Sequence, residues 1–139
     1  MLLNPRKSKF KKQQKGKSFN RINSKSTDFN ALKFGSLGLK AMAFGRLTAK
    51  QIEAVRKSIS KIIKKAGRIK INAFPDTPIS KKPIEVRMGK GKGNVDHWVF
   101  KVKPGFVLYE IETKFTSLAQ KALESGRIRL PIKTKIIFN

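Results

Sequence analysis

Cysteine is absent from this chain, histidine occurs once, at His97, and only eight of the 139 residues are acidic. Without cysteine there is no disulfide framework, no thiolate metal site and no cysteine nucleophile. One histidine excludes a His-rich metal site and any mechanism built on a His pair. Eight acids leave little from which to assemble the carboxylate cluster of a nuclease. No apolar run approaches the ~18 residues of a membrane span. The N-terminus, MLLNPRKSKFKKQQKGK, lacks the apolar core of a secretory signal. With Pro5 and no amphipathic stripe, it is a poor transit peptide as well.

What is present in excess is positive charge. Lys and Arg total 33, giving a formal net charge of +25. A small soluble domain does well with a net charge of roughly 2–8. Beyond that, self-repulsion opposes the compact state unless a polyanion neutralises it. The composition therefore points to nucleic acid first and to an anionic membrane second. Hydrophobic residues make up 39%, enough for a modest core. The length fits one domain, or one domain with a tail.

The charge is unevenly placed. Residues 1–25 hold Arg6, Lys7, Lys9, Lys11, Lys12, Lys15, Lys17, Arg21 and Lys25, and no acid. Such a segment buries too little surface to offset its ordering entropy, so it reads as an arm that orders on RNA. A polar linker then runs into Phe34-Gly35-Ser36-Leu37-Gly38-Leu39-Lys40. The clearest helix spans 48–66. Thr48 and Gln51 fit a capping box, and Ile52, Val55, Ile59, Ile62, Ile63 and Ala66 fall on one face. Lys50, Lys57, Lys61, Lys64 and Lys65 lie opposite, and Gly67 reads as the stop. The period then switches. Arg68–Ala73 alternates as a strand, Phe74–Pro78 is turn chemistry, and Ile84–Met88 reads as a second strand. Val95–Val102 and Phe106–Ile111 follow as strands, a weaker helix starts near Thr116 or Ser117 and ends near Gly126, and a last strand covers 132–138. The expected architecture is α+β: a barrel-like mixed sheet of about five strands with two packed helices.

Several groups could carry chemistry. Gly89-Lys90-Gly91-Lys92-Gly93 presents two cations on a thin backbone suited to a groove of phosphates. It lacks the spacing of a P-loop. Asp96 and His97 are neighbours in a strand, whose side chains should point to opposite faces, so no acid–base pair is expected. Glu110 and Glu112 share a strand face and should be exposed, paired with lysines rather than with a metal. Trp98, Phe100, Phe106 and Tyr109 are a candidate base-stacking platform, with core packing the commoner fate. The arm, the helix face, the Gly–Lys loop and Lys81-Lys82 together describe a small protein embedded in a structured RNA. Phosphate contacts of this kind position a protein without reading sequence.

At these residues the sequence resembles the bacterial and organellar large-subunit ribosomal protein sixteen family. The matching stretches are Pro5-Arg6-Lys7 with Lys9-Phe10, Phe34–Lys40, Gly45–Ala54, Phe74–Ile79, Lys82-Pro83, Val86–Val95, Trp98, Pro104-Gly105, Leu108-Tyr109-Glu110 and Leu130–Thr134. The run Arg87-Met88-Gly89-Lys90-Gly91-Lys92-Gly93-Asn94 is the most specific. The resemblance implies binding to large-subunit rRNA near the peptidyl transferase centre. It also implies contact with A-site tRNA, with P-site tRNA as a further candidate, and neighbouring ribosomal proteins as partners. Together with the charge pattern it assigns rRNA contact to Arg6, Lys7, Lys9, Lys11, Lys12, Lys15, Lys17, Lys40, Arg46, Lys50, Arg56, Lys57, Lys61 and Lys64. It assigns tRNA proximity to Arg87–Asn94. No enzyme activity, cofactor, membrane or homo-oligomer is implied, and any structural Mg²⁺ would belong to the rRNA.

Residues 1–33 are thus expected to be a basic arm and linker ordered on rRNA. Residues 34–139 form a single α+β rRNA-binding domain with its Gly–Lys loop at 88–94. Residues 18–33 and the segment after Glu112 depart from the family pattern. Lys outnumbers Arg by 25 to 8, with abundant Ile, Asn and Phe. This bias suits AT-rich coding, and the match starts almost at Met1, leaving no room for a presequence. The expected location is a mitochondrial ribosome, with plastid or bacterial cytoplasm as alternatives. Three rivals fit less well. A DNA-packaging protein would need a dimer-forming helix or repeat, a basic nuclease more acids or histidines, and a membrane-surface protein bulky apolar groups opposite its lysines.

Overall fold

A computed structural model describes residues 4–14 and 31–138. Nine elements follow in order: β1 (Leu37–Ala41), β2 (Gly45–Thr48), α1 (Ala49–Ile63), β3 (Gly67–Ile71), β4 (Thr77–Lys81), β5 (Asn94–Val102), β6 (Val107–Thr113), α2 (Thr116–Arg127) and β7 (Thr134–Phe138). The strands form two antiparallel sheets, ordered β3-β6-β1-β7 and β2-β5-β4. The α+β class and the two packed helices hold. The single sheet of about five strands becomes seven strands in two sheets that do not close.

α1 begins where its sequence says it should. Thr48 is extended, its hydroxyl accepts the Gln51 N–H at 3.3 Å, and the Gln51 side-chain oxygen accepts the Thr48 N–H at 2.9 Å. Two otherwise orphaned donors are satisfied reciprocally. Ile52, Val55, Ile59 and Ile63 are buried, while Ile62 is half-buried and Ala66 exposed. The helix stops earlier than expected. Lys64, at φ 52, closes it, with its N–H on the Ser60 carbonyl. Gly67 instead opens β3. A Cβ there would lie 2.6 Å from the Glu112 carbonyl oxygen, so glycine is needed for strand approach and not for the helix stop.

Two further expectations are corrected. Ile84–Met88 forms no strand. Val86 N–H donates to the Pro83 carbonyl at 3.3 Å in a turn, and Ile84 and Met88 are 96% and 100% exposed. The partner of β5 is β4, which includes Pro78 from the stretch read as turn. Pro78 is tolerated because β4 is an edge strand, bonded to β5 alone, and needs no outward donor.

The core joins both helices to the larger sheet. Leu37 and Leu39 of β1, Leu108, Tyr109 and Ile111 of β6, and Ala119, Ala122 and Leu123 of α2 pack with the α1 face. Gly126 is buried where the helices meet: a Cβ there would sit 3.0 Å from Ile59 Cγ1 and 3.1 Å from Val55 Cγ1. Leu118, in the first turn of α2, is only half-buried.

Candidate RNA interface

The arm and the Gly–Lys loop lie together. Lys12 Nζ donates to the Lys92 carbonyl at 3.0 Å, and Lys92 Nζ donates to the Gln13 carbonyl. Each lysine thus ties one segment to the other. Arg6, Lys7, Lys9, Lys11 and Lys12 are exposed; Lys15 and Lys17 lie outside the described residues. In the loop, Arg87 to Lys92 and Asn94 are exposed and Gly93 is half-buried. Gly89, Lys90 and Gly91 all take positive φ, at 107, 50 and 88°. A hypothetical Cβ on Gly89 or Gly91 meets nothing within 4 Å. Glycine is required there for conformation, not for clearance. Gly93 differs: its Cβ would meet the Lys81 carbonyl oxygen at 2.5 Å. Lys82 Nζ steadies the loop by donating to the Gly89 carbonyl.

α1 supplies a second cationic surface. Lys50, Lys57, Lys61 and Lys64 are exposed. Their spacing keeps them within an arc of about 60° at 100° per residue. Arg56 is less available than expected. Its guanidinium makes a two-pronged pair with Glu53, Nε to Oε2 at 2.9 Å and Nη2 to Oε1 at 2.6 Å. That hydrogen bond holds the Glu53 carboxyl below its ordinary range and raises Arg56. Arg46 is exposed on β2, and Lys40 is half-buried in β1.

A groove of about 830 Å³ runs between the arm, the start of α1 and β5, lined by Asn4, Ser8, Lys11, Thr48, Ala49, Lys50 and Val95 to Trp98. Here Asp96 and His97 do meet, Oδ2 to Nδ1 at 2.8 Å, against the expectation from strand alternation. The register explains it. His97 pairs with Ile79 and Val95 with Ser80, so Asp96 is the extra residue of a bulge. A bulge breaks the two-residue period and turns neighbours toward one side. The hydrogen bond from His97 lowers the Asp96 carboxyl.

The four-aromatic platform does not form. Tyr109 is fully buried with its hydroxyl on the Ile52 carbonyl at 2.9 Å. Phe100 and Phe106 meet at a tilt, centroids 5.1 Å apart and ring planes at 55°, against the core. Trp98 alone lines the groove.

Glu110 is the residue the sequence reading misplaced most. It is 1% exposed. Its Oε2 accepts the N–H groups of Lys33, Phe34 and Gly35 at 3.0, 2.7 and 3.2 Å, and Oε1 accepts from Asn72 Nδ2 at 2.7 Å. Burial pushes the carboxyl up, but these four donors outweigh it and hold the group below the ordinary range. The carboxylate thereby pins the point where the linker enters β1. The signal available was one acid inside the otherwise apolar run Val107–Ile111 of β6. Glu112 is exposed, as expected.

Among the described residues, no group of three or more His, Cys, Asp or Glu side chains is placed to hold a metal ion. No described helix is long and apolar enough to cross a membrane.

Residues 5–137 match the family described as Ribosomal protein L16p/L10e. The chain is 46% identical over 136 residues to the large ribosomal subunit protein uL16 of Cereibacter sphaeroides, covering 98% of this chain and 96% of the relative. The uL16 proteins of Alkalilimnicola ehrlichii and Maricaulis maris are 48% and 49% identical over the same shares of each chain. The chain therefore belongs to the ribosomal protein L16p/L10e family, and is a structural protein of the large ribosomal subunit rather than an enzyme.

Proposed function

We propose that this chain binds large-subunit rRNA near the peptidyl transferase centre and lines the path of A-site tRNA, with P-site tRNA as a further contact. The observation that carries this reading is the mutual tie between Lys12, Gln13 and Lys92. It joins the basic arm and the Gly–Lys loop into one cationic unit. Lysines held on backbone carbonyls keep their remaining protons for phosphate oxygens. In this reading the exposed arm cations and Lys50, Lys57, Lys61 and Lys64 neutralise rRNA phosphates, with Lys40 and Arg46 beside them. Arg87 to Asn94 reach toward tRNA. Arg56 is a weaker candidate, since contact with phosphate would compete with Glu53. Residues 1–33 act as arm and linker, and 34–139 as the rRNA-binding domain. The excess of Lys over Arg supports synthesis in a mitochondrion, with a plastid or a bacterial cytoplasm as the alternatives.

Deleting residues 1–25 is the direct test. Loss of nine cations should reduce incorporation into large subunits, measured as occupancy by quantitative mass spectrometry of purified particles. Full occupancy of the truncated chain would refute the role given to the arm.

A further inference from the structure

The reading above uses two cations at the rim of the groove between the arm, α1 and β5, Lys11 and Lys50, but gives no role to Trp98, Asp96 or His97, which line it. Its volume, about 830 Å³, lies within the range of ligand pockets, about 300–1,000 Å³. Its lining is mixed in a particular way. Trp98 is half-buried, so its ring is held by the fold yet faces open space. Asp96 and His97 sit beside it as a bonded pair, brought to one side by the bulge. Lys11 comes from the arm and Lys50 from the start of α1. A flat aromatic, a carboxylate acceptor and cations from two elements match the face of a base, its amino edge and the phosphate of a nucleotide.

We propose that this groove seats one unstacked nucleotide of a single-stranded RNA segment, its base on Trp98 and its phosphate between Lys11 and Lys50. The proposal rests on the RNA-binding reading and gives it a specific site. The Asp96 carboxylate accepts from an amino group on the base edge and keeps phosphate at the lysine side by repulsion. A paired base cannot enter, because the duplex keeps its bases stacked and its deep groove closed to side chains. Unpaired bases stack readily on aromatic side chains. The arm forms one wall, so its docking against the body completes the seat.

Trp98 is the single tryptophan of the chain, and its emission therefore reports on this groove alone. The full chain is titrated with a labelled oligoadenylate and with a labelled RNA duplex of equal length, at one salt concentration. Label anisotropy reads binding and tryptophan emission reads stacking. Single strand should quench Trp98 and duplex should not, although both bind. Trp98→Ala should weaken single-strand binding about ten-fold and duplex binding less than two-fold. His97→Ala, at an exposed position, removes the hydrogen bond that orients the Asp96 carboxylate and should weaken single-strand binding several-fold while sparing the duplex. Trp98→Phe should restore most of the loss. Unchanged emission on single-strand binding, or equal weakening of both RNAs, overturns the proposal while the anisotropy curves leave the broader RNA reading intact. Quenching by an acidic peptide in preference to RNA would assign the groove to a protein and overturn it too. Binding of neither RNA would remove both readings together.

Discussion

Glu110→Ala is expected to destabilise the fold by about 3 kcal/mol in urea unfolding. The substitution leaves the N–H groups of Lys33, Phe34 and Gly35 and the Asn72 amide without their acceptor. Loss of a buried charged hydrogen-bonding partner costs about 3 kcal/mol when the donors stay buried. Relaxation of Lys33 and Phe34 into water recovers part of this, since both are exposed; Gly35 cannot follow. It is buried, and a Cβ there would already sit 2.5 Å from the Ile111 carbonyl oxygen. The pH dependence has a defined sign. The folded carboxyl lies below the ordinary value of 4.5, so its contribution is complete above that value. It is lost as pH falls through the lower folded value. Glu110→Gln should therefore flatten the acid limb of the stability profile. An unchanged acid limb, or a loss under 1 kcal/mol for Glu110→Ala, would show that the linker root is held by other contacts.

Lys90→Ala combined with Lys92→Ala should weaken A-site tRNA binding to purified ribosomes about ten-fold at moderate salt. The slope of log affinity against log salt should fall by about two, one for each phosphate contact removed. Assembly should survive, because the loop contributes nothing to the core: Met88 is fully exposed and Gly89 and Gly91 have open space around them. Lys92→Ala also breaks the tie to Gln13, so part of its effect passes through the arm. Lys90→Ala alone separates the two, since among the described residues no hydrogen bond ties Lys90 to the arm. Wild-type tRNA affinity in the double variant would reject the role assigned to the loop.

Local chemistry was legible in the sequence and long-range placement was not. The start of α1 is written in two residues three apart, Thr48 and Gln51, and its buried face in a 3.6-residue period. Both can be read without knowing any neighbour. Gly67 looked like a helix stop because glycine serves helix ends and close strand approach equally well; only the position of Glu112 distinguishes them. Ile84–Met88 alternates like a strand, yet β5 already pairs with β4 on one side and β2 on the other, so β5 has no edge left for it. The Asp96–His97 contact depends on a bulge set by the pairing of Ile79 and Ser80, far away in sequence. Glu110 is the clearest case. Alternation put it on the face of Glu112, but its fate is decided by backbone donors some 75 residues earlier, whose arrival no local pattern announces. The cationic segments of the candidate site were legible because charge density is a property of composition. The tie between Lys12 and Lys92 was not, since it joins segments 80 residues apart.

The central claim is that this chain is an integral RNA-bound component of the large subunit. The most direct measurement is sedimentation of a tagged full-length chain from its source in sucrose gradients at low and high salt. Scattered electrostatic binding to RNA is lost as salt rises, with log affinity falling linearly in log salt. The account predicts that the protein stays in the large-subunit peak through high salt, because arm, helix face and loop are engaged together. Its release to the top of the gradient, or its sedimentation with DNA, would contradict the account.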